Sequence, residues 1–117
     1  MTPYVAVCGP RQADAAVLAA AEEVGAGLAA AGAVVVTGGL GGVMEAACRG
    51  ARSRRGTTLG LLPGEDRSAA NGWVSVAVAT GLGEVRNGLI VRTSDVVVAV
   101  GASPGTLSEV ALALGGG

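Results

Sequence analysis

Glycine-rich turns carry most of the residues that could do chemistry in this chain. The clearest turn, residues 101–106, follows the apolar run 95–100 and precedes a segment of helical composition that contains Glu109. Glycine lets the backbone approach a ligand closely, and the N–H groups at a helix start bind anions, most often phosphate. We therefore expect this turn to bind phosphate through Gly101, Ser103, Gly105 and Thr106.

Two further glycine turns follow apolar runs in the same way. Gly9 ends the run 4–8, and the run 33–37 is followed by Gly38, Gly39, Gly41 and Gly42. The carboxyl ends of parallel strands meet at one edge of a sheet, and ligands bind there at the point where the strand order reverses. We expect the three turns to line one crevice, the alternative being that their glycines serve only tight chain reversal.

One carboxylate accompanies the second of these turns. Glu45 lies in the first turn of the helix predicted over residues 43–52. It is a candidate acidic group of the site. A favourable interaction with the helix dipole is the alternative, and the residues alone leave both interpretations open.

Two common nucleotide-binding motifs do not match this chain. A nicotinamide-dinucleotide site needs G-x-G-x-x-G after the first strand and an acidic residue at the end of the second. Here the first turn reads Gly9-Pro10-Arg11, and the second strand ends in Thr37-Gly38. A Walker P-loop needs a lysine to reach the phosphates, and all the basic residues of this chain are arginines.

Composition narrows the possible classes further. The 117 residues suit a single domain, 1–117, and since half of them are hydrophobic and only 2% aromatic, Val, Leu and Ala must form the core. A net charge of −1 provides no basic field for nucleic acid. The chain has no histidine, so we predict no metal site. Cys8 and Cys48 form neither a CxxC nor a disulfide pattern, which favours a reducing cytoplasm.

Strands and helices alternate along the chain. The apolar runs predict strands over 4–8, 33–37, 57–62 and 95–100, with a weakly alternating edge strand over 73–79. Helices are expected over 15–31, 43–52, 84–93 and 106–114. This alternation predicts an α/β fold, a three-layer Rossmann-like open, mainly parallel sheet with helices on both faces.

With these turns in place, the chain resembles the LOG-like Rossmannoid family. Within that family it is similar to the branch that contains the molybdenum cofactor carrier protein. The motifs that carry the resemblance are residues 38–46, 86–95 and 101–109, and the similarity runs from residue 5 to residue 114.

The resemblance implies roles for several residues. In the phosphoribohydrolase members, Pro-Gly-Gly-x-Gly-Thr-x-x-Glu binds the nucleotide phosphate and ends in a catalytic glutamate, which corresponds here to Glu109. The family's catalytic arginine corresponds to Arg86, for which a solvated helix charge is the alternative. The chain departs from the family pattern at residues 101–104 and at Asn87, where the family has a lysine.

Three functions follow from this resemblance and from the turns. The first is binding of a nucleotide or a phosphate-bearing cofactor such as the molybdenum cofactor, with no cofactor needed for chemistry. The alternative is a phosphoribohydrolase that cleaves the bond between base and ribose in nucleoside 5′-monophosphates, with Glu109 stabilising the positive charge on the ribose. The third is a structural dimer module without any phosphate ligand.

The cellular location and the partners of the protein are also predicted from the sequence. No apolar segment is long enough to span a membrane, so we expect a cytoplasmic protein. The arginine cluster at the end of the second helix suits the helix terminus better than nucleic acid, and it comprises Arg49, Arg52, Arg54 and Arg55. Relatives carry another strand and helix after the position of Leu114. A C-terminally short member would leave a sheet edge uncovered, which predicts a homodimer.

Overall fold

The computed structural model describes residues 1–101, and they form a five-stranded sheet with three α-helices. The elements in chain order are β1 (Tyr4–Cys8), α1 (Ala15–Ala30), β2 (Val34–Thr37), α2 (Val43–Ser53), β3 (Thr58–Leu62), β4 (Val76–Ala79), α3 (Asn87–Thr93) and β5 (Val96–Ala99). Two short 3₁₀ helices, Arg67–Ala69 and Gly83–Arg86, precede β4 and α3. The helix expected over 106–114 lies outside the described residues.

The sheet is parallel throughout, in the order β4-β3-β2-β1-β5. Val5 of β1 pairs with Val35 on one side and with Val96 on the other. The chain leaves β1 toward β2 and returns to its other side only at β5, so the strand order reverses at β1. This arrangement confirms the predicted α/β fold, and the carboxyl end of β1 is the point at which such a sheet is expected to bind a ligand.

The two faces of the sheet carry different helices because successive strand residues point to opposite sides. Val7 and Val35 lie in a core that also contains the buried side of α2 and is packed against α1. Ala6 and Val36 lie on the opposite side, in a smaller core with Ile90 of α3. Helices therefore cover both faces, as predicted.

Small residues bring α1 and α2 unusually close together. A Cβ atom on Gly25 of α1 would overlap the carbonyl oxygen of Ala47, and one on Gly50 of α2 would overlap that of Glu22. Both glycines are buried. Gly25 and Gly50 are thus required by the packing of these two helices.

The structure refines two of the sequence predictions. The predicted helix over 84–93 begins instead as the 3₁₀ turn Gly83–Arg86 and becomes α-helical at Asn87. The weak strand predicted over 73–79 is the edge strand β4, limited to Val76–Ala79. Among residues 1–101, no helix combines the length and the apolar character that crossing a bilayer requires.

Candidate functional site

The turn after β1 and the start of α2 are joined at the carboxyl edge of the sheet. The N–H of Val43 donates to the carbonyl oxygen of Pro10 at 3.1 Å. Gly42, just before the helix, has a φ of +68°, and a Cβ there would overlap the carbonyl oxygens of Pro10 and Arg11. Only glycine satisfies both conditions, so this residue lets the two turns meet.

Gly9 has a packing role in the same region. A Cβ on it would lie 2.6 Å from Cγ1 of Val43 and would overlap the carbonyl oxygen of Val100. Gly9 therefore allows β1, α2 and the end of β5 to converge. Gly101 likewise packs closely, since a Cβ there would lie 2.8 Å from Cγ1 of Val17.

Hydrogen bonds hold the loop between β2 and α2. Thr37, the last residue of β2, accepts the N–H of Gly39 on its Oγ1 at 3.0 Å. The Asn71 amide Nδ2 donates to the carbonyl oxygen of Leu40 at 2.9 Å, and the backbone N–H of Asn71 donates to that of Gly39 at 2.9 Å. Asn71 was not predicted from the sequence, because its only local signal is the turn dipeptide that it forms with Gly72.

The start of α2 has backbone hydrogen-bond donors without a partner among the described residues. The N–H groups of Met44 and Glu45 have no acceptor among residues 1–101, because the first bond back to the loop is made by Ala46. A Cβ on Gly41 would meet nothing within 4 Å, so the loop is open at that point. Free N–H groups at the positive end of a helix form a favourable site for an anion.

Arg86 is the buried charge of this region. Its side chain lies at the junction of the 3₁₀ turn and α3, and the residue is only 4% exposed. The guanidinium Nε donates to the carbonyl oxygen of Leu61 at 2.8 Å, and Nη1 donates to Asn87 Oδ1. The alternative of a solvated helix charge is therefore wrong.

The charge of Arg86 is only partly balanced. Its one carboxylate partner among the described residues is Glu84, at 3.4 Å from Nη1, and the Glu84 side chain is 79% exposed. Solvent weakens such an interaction, whereas the buried guanidinium has lost most of its own hydration. A further anion beside Arg86 would therefore be bound favourably.

The second amino group of Arg86, Nη2, lies against the glycine loop. A Cβ on Gly38 would be 2.7 Å from Nη2 and 2.8 Å from Sδ of Met44. Among residues 1–101, Nη2 has no hydrogen-bond acceptor. Every fully buried side-chain nitrogen or oxygen of these residues has a partner, so Nη2 is in contact with solvent. The fold thus brings Arg86 to the predicted loop, with Nη2 as a donor beside Gly38.

The remaining predicted site residues divide into two groups. Glu45 is half-buried in the first turn of α2, beside the donors just described. Ser103, Gly105, Thr106 and Glu109 lie outside the described residues, so their predicted roles stay predictions.

The two cysteines are both buried. Burial raises the pKa of the Cys48 thiol above its ordinary value, opposed in part by a hydrogen bond with the Thr37 hydroxyl, 3.5 Å away. This thiol is therefore protonated at neutral pH. Among residues 1–101, no group of three or more His, Cys, Asp or Glu side chains could hold a metal ion.

Comparison with known proteins places this geometry among cofactor-binding relatives. The structure of the molybdenum cofactor binding protein from Rippkaea orientalis is 44% identical and superposes with a TM-score of 0.94, covering 99% of this chain and 72% of that chain. The molybdenum cofactor carrier protein from Chlamydomonas reinhardtii is 39% identical, with a TM-score of 0.89, covering 98% of this chain and 72% of that chain.

A curated relative and a family model agree with these structures. An uncharacterized protein from Archaeoglobus fulgidus is 39% identical over 110 residues, which span 94% of this chain and 72% of that protein. The model of the SLOG cluster 4 family matches residues 2–117. The chain therefore belongs to the SLOG cluster 4 family.

Proposed function

We propose that the protein binds a phosphate-bearing cofactor in this crevice and that the ligand is the molybdenum cofactor. The observation that carries the proposal is the buried Arg86 guanidinium, whose Nη2 lies against Gly38 at the loop that leads into α2. The two structural relatives described above, which bind or carry the molybdenum cofactor, support the choice of ligand.

The donors of the crevice suit a phosphate group. Nη2 of Arg86 would donate to one phosphate oxygen, and the N–H groups of Met44 and Glu45 would donate to others. A guanidinium and backbone donors bind phosphate more strongly than neutral side chains do, because the hydrogen bonds are charge-assisted. This donor set fits the phosphate end of such a cofactor, which would be carried as cargo rather than used in a reaction of the protein.

Binding can be measured by titrating the purified protein with molybdenum cofactor released from a molybdoenzyme. We expect Arg86→Gln to weaken binding by roughly tenfold or more, since one charge-assisted hydrogen bond contributes about 1.5–3 kcal/mol. Arg92→Gln is the matched control, because Arg92 is an exposed arginine of α3, the helix that follows Arg86. Equal affinities of the wild type and the Arg86 variant would refute the proposed site.

Phosphoribohydrolase activity is the second candidate function. Its support is that Arg86, at the position of the family's catalytic arginine, is held at the crevice rather than in solvent. In this function Thr106 and its neighbours would bind the 5′-phosphate, and Glu109 would stabilise the developing charge on the ribose. The chain departs from the hydrolase pattern at Asn87, where a lysine is expected.

A substrate panel separates the two functions. The protein would be incubated with nucleoside 5′-monophosphates, and free base and ribose 5-phosphate would be measured. Release that disappears in Glu109→Gln supports the hydrolase. Cofactor binding without any release supports the carrier function alone.

The domain organisation, the cellular location and the oligomeric state are proposed together with this function. We expect the chain to fold as a single domain, 1–117, and to act in the cytoplasm as a homodimer. Its ligand would be a small phosphate-bearing molecule rather than nucleic acid, since the net charge is −1.

A further inference from the structure

The side chain of Asn87 contacts the buried guanidinium of Arg86. Asn87 is the first residue of α3 and is half-buried, and its Oδ1 accepts a hydrogen bond from Nη1 of Arg86. Every nitrogen of a guanidinium is a donor, so only the oxygen of the amide can serve as its partner. The contact therefore depends on the acceptor that residue 87 provides.

The hydrogen bonds of Arg86 fix the plane of its guanidinium. Nε donates to the carbonyl oxygen of Leu61 at 2.8 Å, and Nη1 donates to Asn87 and, at 3.4 Å, to Glu84. A planar group that is held at two of its nitrogens cannot turn freely. Nη2, which lies beside Gly38, is thereby held in position without a ligand.

The acceptors around this guanidinium leave most of its charge uncompensated. The Asn87 amide and the Leu61 carbonyl are neutral, and the carboxylate of Glu84 is 79% exposed, so water screens it. A cation that is hydrogen-bonded but not neutralised attracts an anion more strongly than an ion pair does. Asn87 thus satisfies one donor of Arg86 without adding a negative charge.

A carboxylate at position 87 could make the same hydrogen bond. Aspartate has nearly the shape of asparagine, and a charge-assisted bond would hold the arginine at least as firmly. It would also form an ion pair beside Nη2, and an approaching phosphate would then be repelled by the new charge. An anion site at Arg86 therefore requires a neutral acceptor at this position.

We infer that Asn87 is a positioning residue of the anion site, because its neutral amide orients Arg86 with Nη2 at Gly38 and preserves the positive charge for the phosphate of the ligand. The inference rests on the proposed function and deepens it, since it names a residue that makes the site selective for an oxyanion over a neutral molecule. A purely structural role is the alternative, in which residue 87 needs only to satisfy a buried donor.

Isothermal titration calorimetry with the molybdenum cofactor and, separately, with inorganic phosphate tests the inference. Asn87→Asp keeps the shape and the acceptor but adds a negative charge beside Nη1. We expect it to weaken the binding of both probes by roughly tenfold or more, as for the loss of one charge-assisted hydrogen bond. Thr93→Asp is the matched control, because it adds the same charge at an exposed position of α3, and it should bind like the wild type.

Stability measurements distinguish the positioning role from the structural one. In urea unfolding, Asn87→Asp should be at least as stable as the wild type, because its carboxylate pairs with Arg86. Asn87→Ala should be less stable, since Nη1 loses an acceptor, yet it should bind phosphate more tightly than Asn87→Asp because the charge of Arg86 is retained. A structural role predicts that affinity follows stability across these variants, and that result would refute the inference.

A double variant separates the local contact from the total charge. Combining Asn87→Asp with Glu84→Gln restores the net charge of the wild type. Because the side chain at position 84 is in solvent and the one at position 87 is half-buried, we expect binding to stay roughly fivefold or more below that of the wild type. Full recovery of affinity would show that only the total charge matters and would contradict the inference.

The two probes keep this inference apart from the proposed function. A wild-type protein that binds phosphate but not the cofactor refutes the choice of ligand, and the Asn87 variants then decide the inference with phosphate alone. A wild-type protein that binds neither probe refutes both. Equal affinities of the wild type and Asn87→Asp for the cofactor refute the role of Asn87 and leave cofactor binding intact.

Discussion

The two faces of the sheet are built in opposite ways. On one face, α1 and α2 pack so closely that Gly25 and Gly50 leave no room for a Cβ, and the core between helices and sheet is mainly apolar, with a polar contact between Thr37 and Cys48. On the other face, a seven-residue helix covers part of the sheet, a guanidinium is buried beside it, and large apolar side chains remain exposed.

The difference indicates where stability and function reside. Close packing of small residues is rigid and cannot accommodate one additional side-chain atom. The α1–α2 face should therefore determine whether the domain folds. A buried arginine contributes little to stability and is costly if its partner is removed. The proposed ligand would account for a buried arginine on the α3 face, and among residues 1–101 the α1–α2 face has no buried charged side chain of this kind.

Gly25→Ala tests the packed face and should have the largest effect on folding. The added methyl group would overlap the backbone of Ala47, so the helices must separate. We expect the free energy of unfolding to fall by about 2–4 kcal/mol, as for overpacked cores. Urea unfolding followed by circular dichroism measures the change.

Gly27→Ala is the control for this prediction because it lies in the same helix. A Cβ there would meet nothing within 4 Å. Alanine should therefore stabilise α1 by about 0.5–1 kcal/mol through its higher helix propensity. If the two variants were equally stable, close packing would not be what distinguishes this face.

Much of this architecture could be predicted from local patterns. Apolar runs predicted four of the five strands described, weak alternation over 73–79 predicted the edge strand β4, and the alternation with helices predicted the parallel sheet. Gly25 and Gly50 were not predicted to be packing residues. Each contacts the other helix, and the residues beside it in the sequence give no sign of that contact.

The crevice was predicted less completely, for the same reason. The convergence of Gly9 and Gly42 follows from the strand order and was expected, whereas the burial of Arg86 depends on Gly38, which is distant in sequence. Asn71 lies in a loop with no regular pattern, and its hydrogen bonds cross to the loop after β2. Contacts between distant loops depend on the folded geometry and leave little periodic signal.

Asn71→Ala tests how far the crevice loop depends on such a contact. The variant loses the two hydrogen bonds that the side-chain amide donates to the carbonyl oxygens of Leu40 and Gly39, at 2.9 and 3.3 Å. The Trp73 N–H also loses its acceptor. We expect about 1–2 kcal/mol of lost stability and weaker cofactor binding, because the loop becomes less ordered. Thermal unfolding and the cofactor titration would be measured together.

Asn71→Asp sharpens this prediction. The carboxylate keeps an acceptor for the N–H of Trp73 but has no donor for the carbonyl oxygens of Leu40 and Gly39. If the two lost donors matter most, this isosteric variant will be at least as damaging as Asn71→Ala. Wild-type stability in the aspartate variant would show that the loop is held by its backbone bonds alone.

The smallest effect is a pH dependence on the packed face, at Cys48. Burial raises the pKa of this thiol in the folded protein above the ordinary value of 9.0. Below that value the thiol is protonated in both states, so it adds no pH dependence. As the pH rises above 9.0, the thiol ionises in the unfolded chain but keeps its proton in the folded protein. The free energy of unfolding therefore falls, and this group contributes at most about 1.4 kcal/mol per pH unit.

Urea unfolding at pH 7.5 and pH 10 should therefore show a larger loss of stability for the wild type than for Cys48→Ala. An equal loss in both proteins would mean that the thiol is not protected by the close packing that distinguishes this face from the other.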